Sequence, residues 1–202
     1  MKIQVIITAI ILLALTSCQK KEALWRTIVY NSAMEHSLVS AKTTSDNWLR
    51  RLKMEVKKQG NSREGLERIK RAERLKKETA QLLGEIEKVK WKMVTERGDG
   101  LDPKAHTVKR PLASSGLRKE VESLIKKLAS YINFLKAEFK DLDIEPFDKT
   151  NEGYIQDKKQ FYDIYFKGTN VVEGLTSLTH FQSKVLQYEQ KVAKKLGPIG
   201  NY

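Results

Sequence analysis

Leu117, Val121, Leu124, Leu128, Tyr131, Leu135 and Leu142 step by four and three, the spacing that lays an apolar seam along one side of an α-helix. A chain patterned this way has to bury that seam against other helices. Three further stretches carry the same rhythm. From about Ala23 to Gln59, the residues Leu24, Ile28, Leu38, Trp48, Leu52 and Val56 sit close to one stripe, with Asn31, Ser45 and small residues between them. From about Ser62 to Arg97, Leu66, Ile69, Ala72, Thr79, Leu83, Ile86, Val89 and Met93 recur at three- and four-residue steps. The last seam, from Asn170 to about Leu196, is Val171, Leu175, Leu178, Gln182, Val185, Glu189, Val192 and Leu196.

The punctuation between these stretches predicts how they connect. Gly60 supplies a left-handed stop, and Asn61 with Glu64 reads as a capping box for the next helix, so helices one and two form a tight antiparallel hairpin. Gly98 ends helix two, and Gly98 to Pro111 carries two glycines, two prolines and no apolar rhythm, which is an exposed loop. Helix three spans about Ser115 to Lys140. Asp141 to Thr169 is too long for an empty connection, and Phe147, Tyr154, Phe161, Tyr162, Tyr165 and Phe166 argue that it packs as a partly helical or extended flap across the bundle. Asn170 with Glu173 caps helix four, which Gly197 and Pro198 end. The expected fold is all-α, an elongated four-helix up-down bundle with a long aromatic-rich connection before the last helix; helices one and two are each on the order of 50 Å long.

The N-terminus reads differently from the rest. Lys2 is a minimal basic region, Ile3 to Leu15 is an apolar stretch, and Leu15, Thr16, Ser17 and Cys18 read as a bacterial lipobox with Cys18 as the lipid acceptor. A membrane-spanning helix would need about 20 apolar residues, and this stretch is shorter and carries Gln4 and Thr8. The expected organisation is a signal peptide at 1–17, a lipidated tether at 18–22, a helical domain at 23–197 and a tail at 198–202. The diacylglycerol-plus-acyl modification of lipobox cysteines puts several chains into the bilayer, which holds far better than one. With its only cysteine acylated, the mature chain forms no internal disulfide and depends on apolar burial.

Lys2 leaves with the leader, so the formal charge of +13 drops by one and the mature chain stays strongly basic. In a cytosolic protein that balance would suggest nucleic acid; behind a lipobox no nucleic-acid partner is expected, and the charge points to anionic lipid, cell-wall polymer or an acidic protein. Arg63, Glu64, Glu67, Arg68, Lys70, Arg71, Glu73 and Arg74 interleave both signs, which is the pattern of a solvated helix face laced with pairs one turn apart.

Chemistry leaves no signature. The lone cysteine is consumed by lipid, no glycine-rich phosphate loop follows a strand, and His36, His106 and His180 lie on different elements without metal-ligand spacing. His180, beside Phe181, reads as a helix-surface or rim residue. No enzyme activity, cofactor, metal or small-molecule substrate is expected. Gln182 and Glu189 stand out, because a seven-residue spacing puts both on the apolar stripe of helix four. Either they fix helix register or partner choice, or Phe181 and Tyr188, one position earlier, rotate into the core and leave them at the edge.

The stretch Phe166 to Leu196 resembles the first periplasmic domain of the GldM/PorM family, the inner-membrane motor component of the Bacteroidota type IX secretion and gliding machinery. Phe166, the entry Gly168 to Val172, Leu175, Leu178, Phe181, Gln182, Val185 and Glu189 carry the likeness. Upstream, the order of a long first helix with spaced Asn and Ser, a basic helix around Lys70 to Val89 and the Leu117 to Tyr131 helix is also similar. Where that family begins with a membrane-spanning helix that harvests the proton gradient and continues into further periplasmic domains, this chain shows a cleavable signal, a lipobox and one domain. The resemblance implies a lipid-anchored, self-associating structural or adaptor protein of that apparatus which cannot itself couple ion flow, with Phe161, Tyr165, Phe166, Gln182 and Glu189 as packing or partner contacts. The alternative is a generic helical lipoprotein whose basic face binds peptidoglycan or anionic lipid. Gln19 is not the inner-membrane retention Asp of enteric bacteria, and Gln19 to Glu22 lack the acidic run tied to surface export, so an outer-membrane anchor facing the periplasm is expected.

Overall fold

The computed structural model of the 202-residue chain describes residues 33–97, 117–142 and 171–197. They form α1 (Ala33–Lys58), α2 (Arg63–Arg97), α3 (Leu117–Glu138) and α4 (Val171–Leu196), with a short 3-10 turn at Lys140–Leu142 after α3. No strand occurs among the described residues. The all-α bundle of four long helices stands as the periodicities require. Cys18 and the expected lipobox, Leu24, Ile28 and Asn31, the 98–116 loop with His106, the expected flap beyond Leu142 with its aromatics Phe161, Tyr165 and Phe166, and the Asn170 cap lie outside the described residues.

The α1–α2 turn shows why this chain stops and restarts its helix here. Gly60 adopts φ 80°, its N–H donates to Lys57 O at 3.2 Å, and the Asn61 N–H reaches back to Val56 O at 3.0 Å, the paired bonds of a Schellman ending. Asn61 is itself left-handed, at φ 55°, so it belongs to the turn rather than to the cap. The cap falls one residue later than the spacing suggested: Ser62 Oγ accepts from the Gly65 N–H at 3.1 Å. Gly65, having no side chain, cannot return the bond as a capping-box Glu would.

Gly65 is there because α1 leaves no room. A Cβ built on it would lie 2.7 Å from Val56 Cγ1, inside the buried end of the hairpin. Gly84, by contrast, faces open space in the middle of α2. The two glycines should therefore respond oppositely to alanine in thermal unfolding. Gly65→Ala is expected to destabilise by about 1–3 kcal/mol through overpacking, and Gly84→Ala to stabilise by about 0.5–1 kcal/mol through lower backbone entropy in the unfolded chain.

Contacts along the helices fix their directions. Glu85 meets Ser123, Thr79 meets Tyr131 and Arg71 meets Asp141, so α2 and α3 are antiparallel. Lys90 meets Gln182 and Lys76 meets Glu189, so α2 and α4 are antiparallel too. Along α1, however, Leu38 clusters with Leu186, Ser45 bonds Glu189 and Leu52 lies beside Gly197, and the two sets of numbers rise together. Helix α4 is thus parallel to α1 and to α3, giving up-down-up-up where alternation was expected. The described ends agree: Leu142 O accepts from Lys195 Nζ near the C-terminal end of α4, whereas α4 begins at Val171, roughly 40 Å away along its axis. Although the hairpin makes α1 and α2 antiparallel, α1 packs more extensively along α4, and α2 and α4 form the central pair.

Leu117, Val121, Leu124, Leu128, Tyr131 and Leu135 are all buried, as are Leu38, Trp48, Leu52 and Val56. On α2 the expected stripe holds at Ala72, Thr79, Ile86, Val89 and Met93, all buried, and shifts at its other positions. Leu66 is 44% exposed and Ile69 and Leu83 only partly covered, while Leu75 and Leu82 are fully buried. With Leu75 and Leu82 added, the buried arc is wide enough for α2 to face α3 and α4 together.

Candidate functional site

A polar layer crosses the interior of the bundle. Glu189 of α4 is 0% exposed, and its Oε1 accepts from Ser45 Oγ at 2.6 Å and from Trp48 Nε1 at 2.7 Å, both on α1. Lys76 of α2 supplies the compensating charge, its Nζ 3.5 Å from the same oxygen, while it donates to Ser45 O at 2.7 Å and also to Ser45 Oγ. One carboxylate thereby ties α1, α2 and α4 at a single height. Glu189 Oε2 has no hydrogen-bond partner among the described residues.

Tyr131 of α3 completes the layer. It is fully buried, and its hydroxyl lies 3.0 Å from Thr79 Oγ1. Burial pushes the Tyr131 phenol well above the usual tyrosine range; the hydrogen bond with Thr79 opposes this, and the charge of Glu189 adds to it. Unfolding lets the phenol ionise near its ordinary value of about 10, so its contribution to stability is complete below that pH and is lost as pH rises toward the folded value. In an ultraviolet titration, one phenol of the native chain should ionise only with loss of the fold, and Tyr131→Phe should remove that late signal.

A second polar cluster lies toward the other end of α4. Lys90, 1% exposed, donates to Gln182 Oε1 at 2.8 Å and stands 3.6 Å from Glu87 Oε2, to which Gln182 Nε2 donates at 2.9 Å. Gln182 is 2% exposed. Neither Gln182 nor Glu189 therefore sits at an edge, although Phe181 and Tyr188 are buried as well. The buried arc of α4 is wide enough for both pairs because α1 and α2 pack on different sides of it. His180 is partly buried on the same helix and His36 is exposed on α1.

The basic residues of α2 do more than face water. Lys70 with Glu67 and Lys88 with Glu85 are pairs a turn apart, as expected, and hydrogen bonding from Lys88 holds the Glu85 carboxyl below the usual carboxylate range. Further pairs, with the cation on either helix, clamp α2 to α3. Arg71 grips both carboxylate oxygens of Asp141, at 2.6 and 3.0 Å, and stacks 5.1 Å from the Phe139 ring centre; Lys127 reaches Glu78 at 2.7 Å. The expected solvated face missed Lys76 and Lys90. Their signal was register, since Lys76 follows Ala72 by four and Lys90 follows Ile86 by four, both on the apolar stripe.

The Glu189 carboxylate is buried and bonded to Ser45 and Trp48 of α1 beside Lys76 of α2, an arrangement that holds the three helices in register. Among the described residues, no group of three or more His, Cys, Asp or Glu side chains is placed to hold a metal ion, and no helix is long and apolar enough to cross a membrane. A family model described as the GldM N-terminal domain matches residues 28–197. No curated protein matches the chain.

Proposed function

The chain belongs to the GldM N-terminal domain family, and from that premise we propose that it is a lipid-anchored, non-catalytic adaptor of the gliding and type IX secretion machinery with which the family is associated. The observation that carries this reading is the extent of the match, which takes in all four described helices. The interior agrees with it: the buried polar side chains of α1, α2 and α4 are spent on one another, as in a part whose task is to keep a shape. Cys18 anchors the protein in the outer membrane facing the periplasm, the helical domain self-associates, and Phe161, Tyr165, Phe166, Gln182 and Glu189 support packing or partner contacts.

Deleting the gene should reduce both surface movement and the release of type IX cargo, and a Cys18→Ala copy should neither take up a fatty-acid label nor restore them. Wild-type movement and cargo release in the deletion strain would end the assignment. A second reading, binding of peptidoglycan or anionic lipid through a basic face, is favoured by the net charge and by Lys184, Lys191, Lys194 and Lys195 along the outer side of α4. It predicts retention on sacculi or anionic vesicles that falls away as salt rises, without co-purifying secretion proteins.

A further inference from the structure

Between α1 and α4 lies a groove of about 340 Å³ whose walls include Thr43, Thr44, Ala193 and Trp48, the residue whose indole N–H bonds Glu189. Its uncharged polar side chains are already engaged within the chain. Thr43 Oγ1 donates to Val39 O at 3.0 Å and Thr44 Oγ1 to Ser40 O at 3.1 Å, so both hydroxyl hydrogens are used within α1. Asn47 Nδ2 donates to Thr43 O, Gln190 Nε2 to Ala41 O, and the Trp48 indole N–H is held by Glu189. The surface a ligand meets is mostly apolar, supplied by the side-chain carbons of these residues with the edge of Trp48 at the base. The remaining lining residues are Arg51 and Lys194, both cationic, and no carboxylate lines the groove among the described residues.

An apolar trough with positive charge in its lining suits a molecule that is itself greasy with an anionic head. Its volume lies near the lower end of the roughly 300–1,000 Å³ typical of ligand pockets, which favours a single acyl chain over a two-chain lipid. We propose that this groove binds a fatty-acid carboxylate, the chain along Trp48 and the threonine side chains and the head beside Lys194 and Arg51. The site is one of binding only.

The test uses the folded chain and decanoate held below its micelle-forming concentration, followed by calorimetry and by the Trp48 indole N–H resonance. Saturable binding that shifts this resonance is expected, with decanol and butyrate each weaker by about tenfold or more because one lacks the charge and the other the chain. Lys194→Glu should weaken decanoate by about tenfold, and Thr44→Trp, an exposed position on the groove wall, should abolish its binding. The proposal fails if decanoate leaves the indole resonance unmoved, if decanol binds as well as decanoate, or if both variants bind as the parent does. It also fails if phosphatidylglycerol vesicles compete fully through Lys194 alone, since that is surface attraction without a groove. The resonance is read on the parent chain, so the outcome does not depend on either variant folding.

Discussion

Glu189→Leu lowers the stability of the domain by about 3 kcal/mol, which in a chain of this size is a fall in Tm of roughly 6–12 °C. The loss comes from what leucine strands. The Trp48 indole N–H is buried and loses its acceptor, a cost of about 1–3 kcal/mol by itself. Ser45 Oγ loses a 2.6 Å bond in the same place, and Lys76 loses its nearest counter-charge. Lys76 is partly exposed, so its ammonium turns to water and limits the damage. Glu189→Gln keeps an acceptor at the first oxygen and should cost less. The discriminating measurement is a double-mutant cycle with Trp48→Phe, which removes the orphaned N–H. The pair should cost less than the sum of the single changes by about 0.5–3 kcal/mol, and strict additivity would mean that this bond contributes nothing. Replacing Gln182 and Glu189 together with Leu and finding self-association and partner capture unchanged would separate internal register from any outward role.

Tyr131→Ala is expected to be at least as severe, at about 3–5 kcal/mol in chemical denaturation. The side chain is among the largest fully buried ones and packs beside Phe134, with ring centres 6.5 Å apart. Its removal opens a void between α2 and α3 and leaves the Thr79 hydroxyl without this partner. Tyr131→Phe keeps the ring and loses only the hydroxyl, so about 1 kcal/mol is expected from it. Equal losses from the two variants would show that the hydrogen bond, and not the packing, is what matters here.

Fold class was legible because the α3 seam obeys its period so closely that every residue of it from Leu117 to Leu135 is buried. Helix direction was not. Nothing in the seam of Val171 to Leu196 records which end enters first, since the same spacing fits either direction, and the expected flap at Asp141 to Thr169 lies, beyond Leu142, outside the described residues. Leu66 was misassigned because a three-and-four pattern fits two adjacent stripes on α2, and only the simultaneous presence of α3 and α4 selects between them. Within the site, Gln182 and Glu189 were visible as polar interruptions of an apolar seam. Their partners Lys76 and Lys90 were hidden in a lysine-rich helix, where residue type carries no information and register alone marks the inward-facing ones. Ser62 was missed as a cap because Asn61, the better-looking candidate, is taken up by the turn.

The parallel course of α1 and α4 has a consequence for how the protein is made. Ser45 and Trp48 wait for an acceptor that lies 144 and 141 positions later in the chain. During synthesis or export the first three helices emerge with the slot for the fourth unfilled, and no local hairpin can fill it. Closure is a late, long-range event of the kind that slows folding and exposes greasy surface in the interval. A holdase in the compartment where the chain is released should therefore speed its maturation more than it would for a bundle of the same size that zips up from neighbour to neighbour.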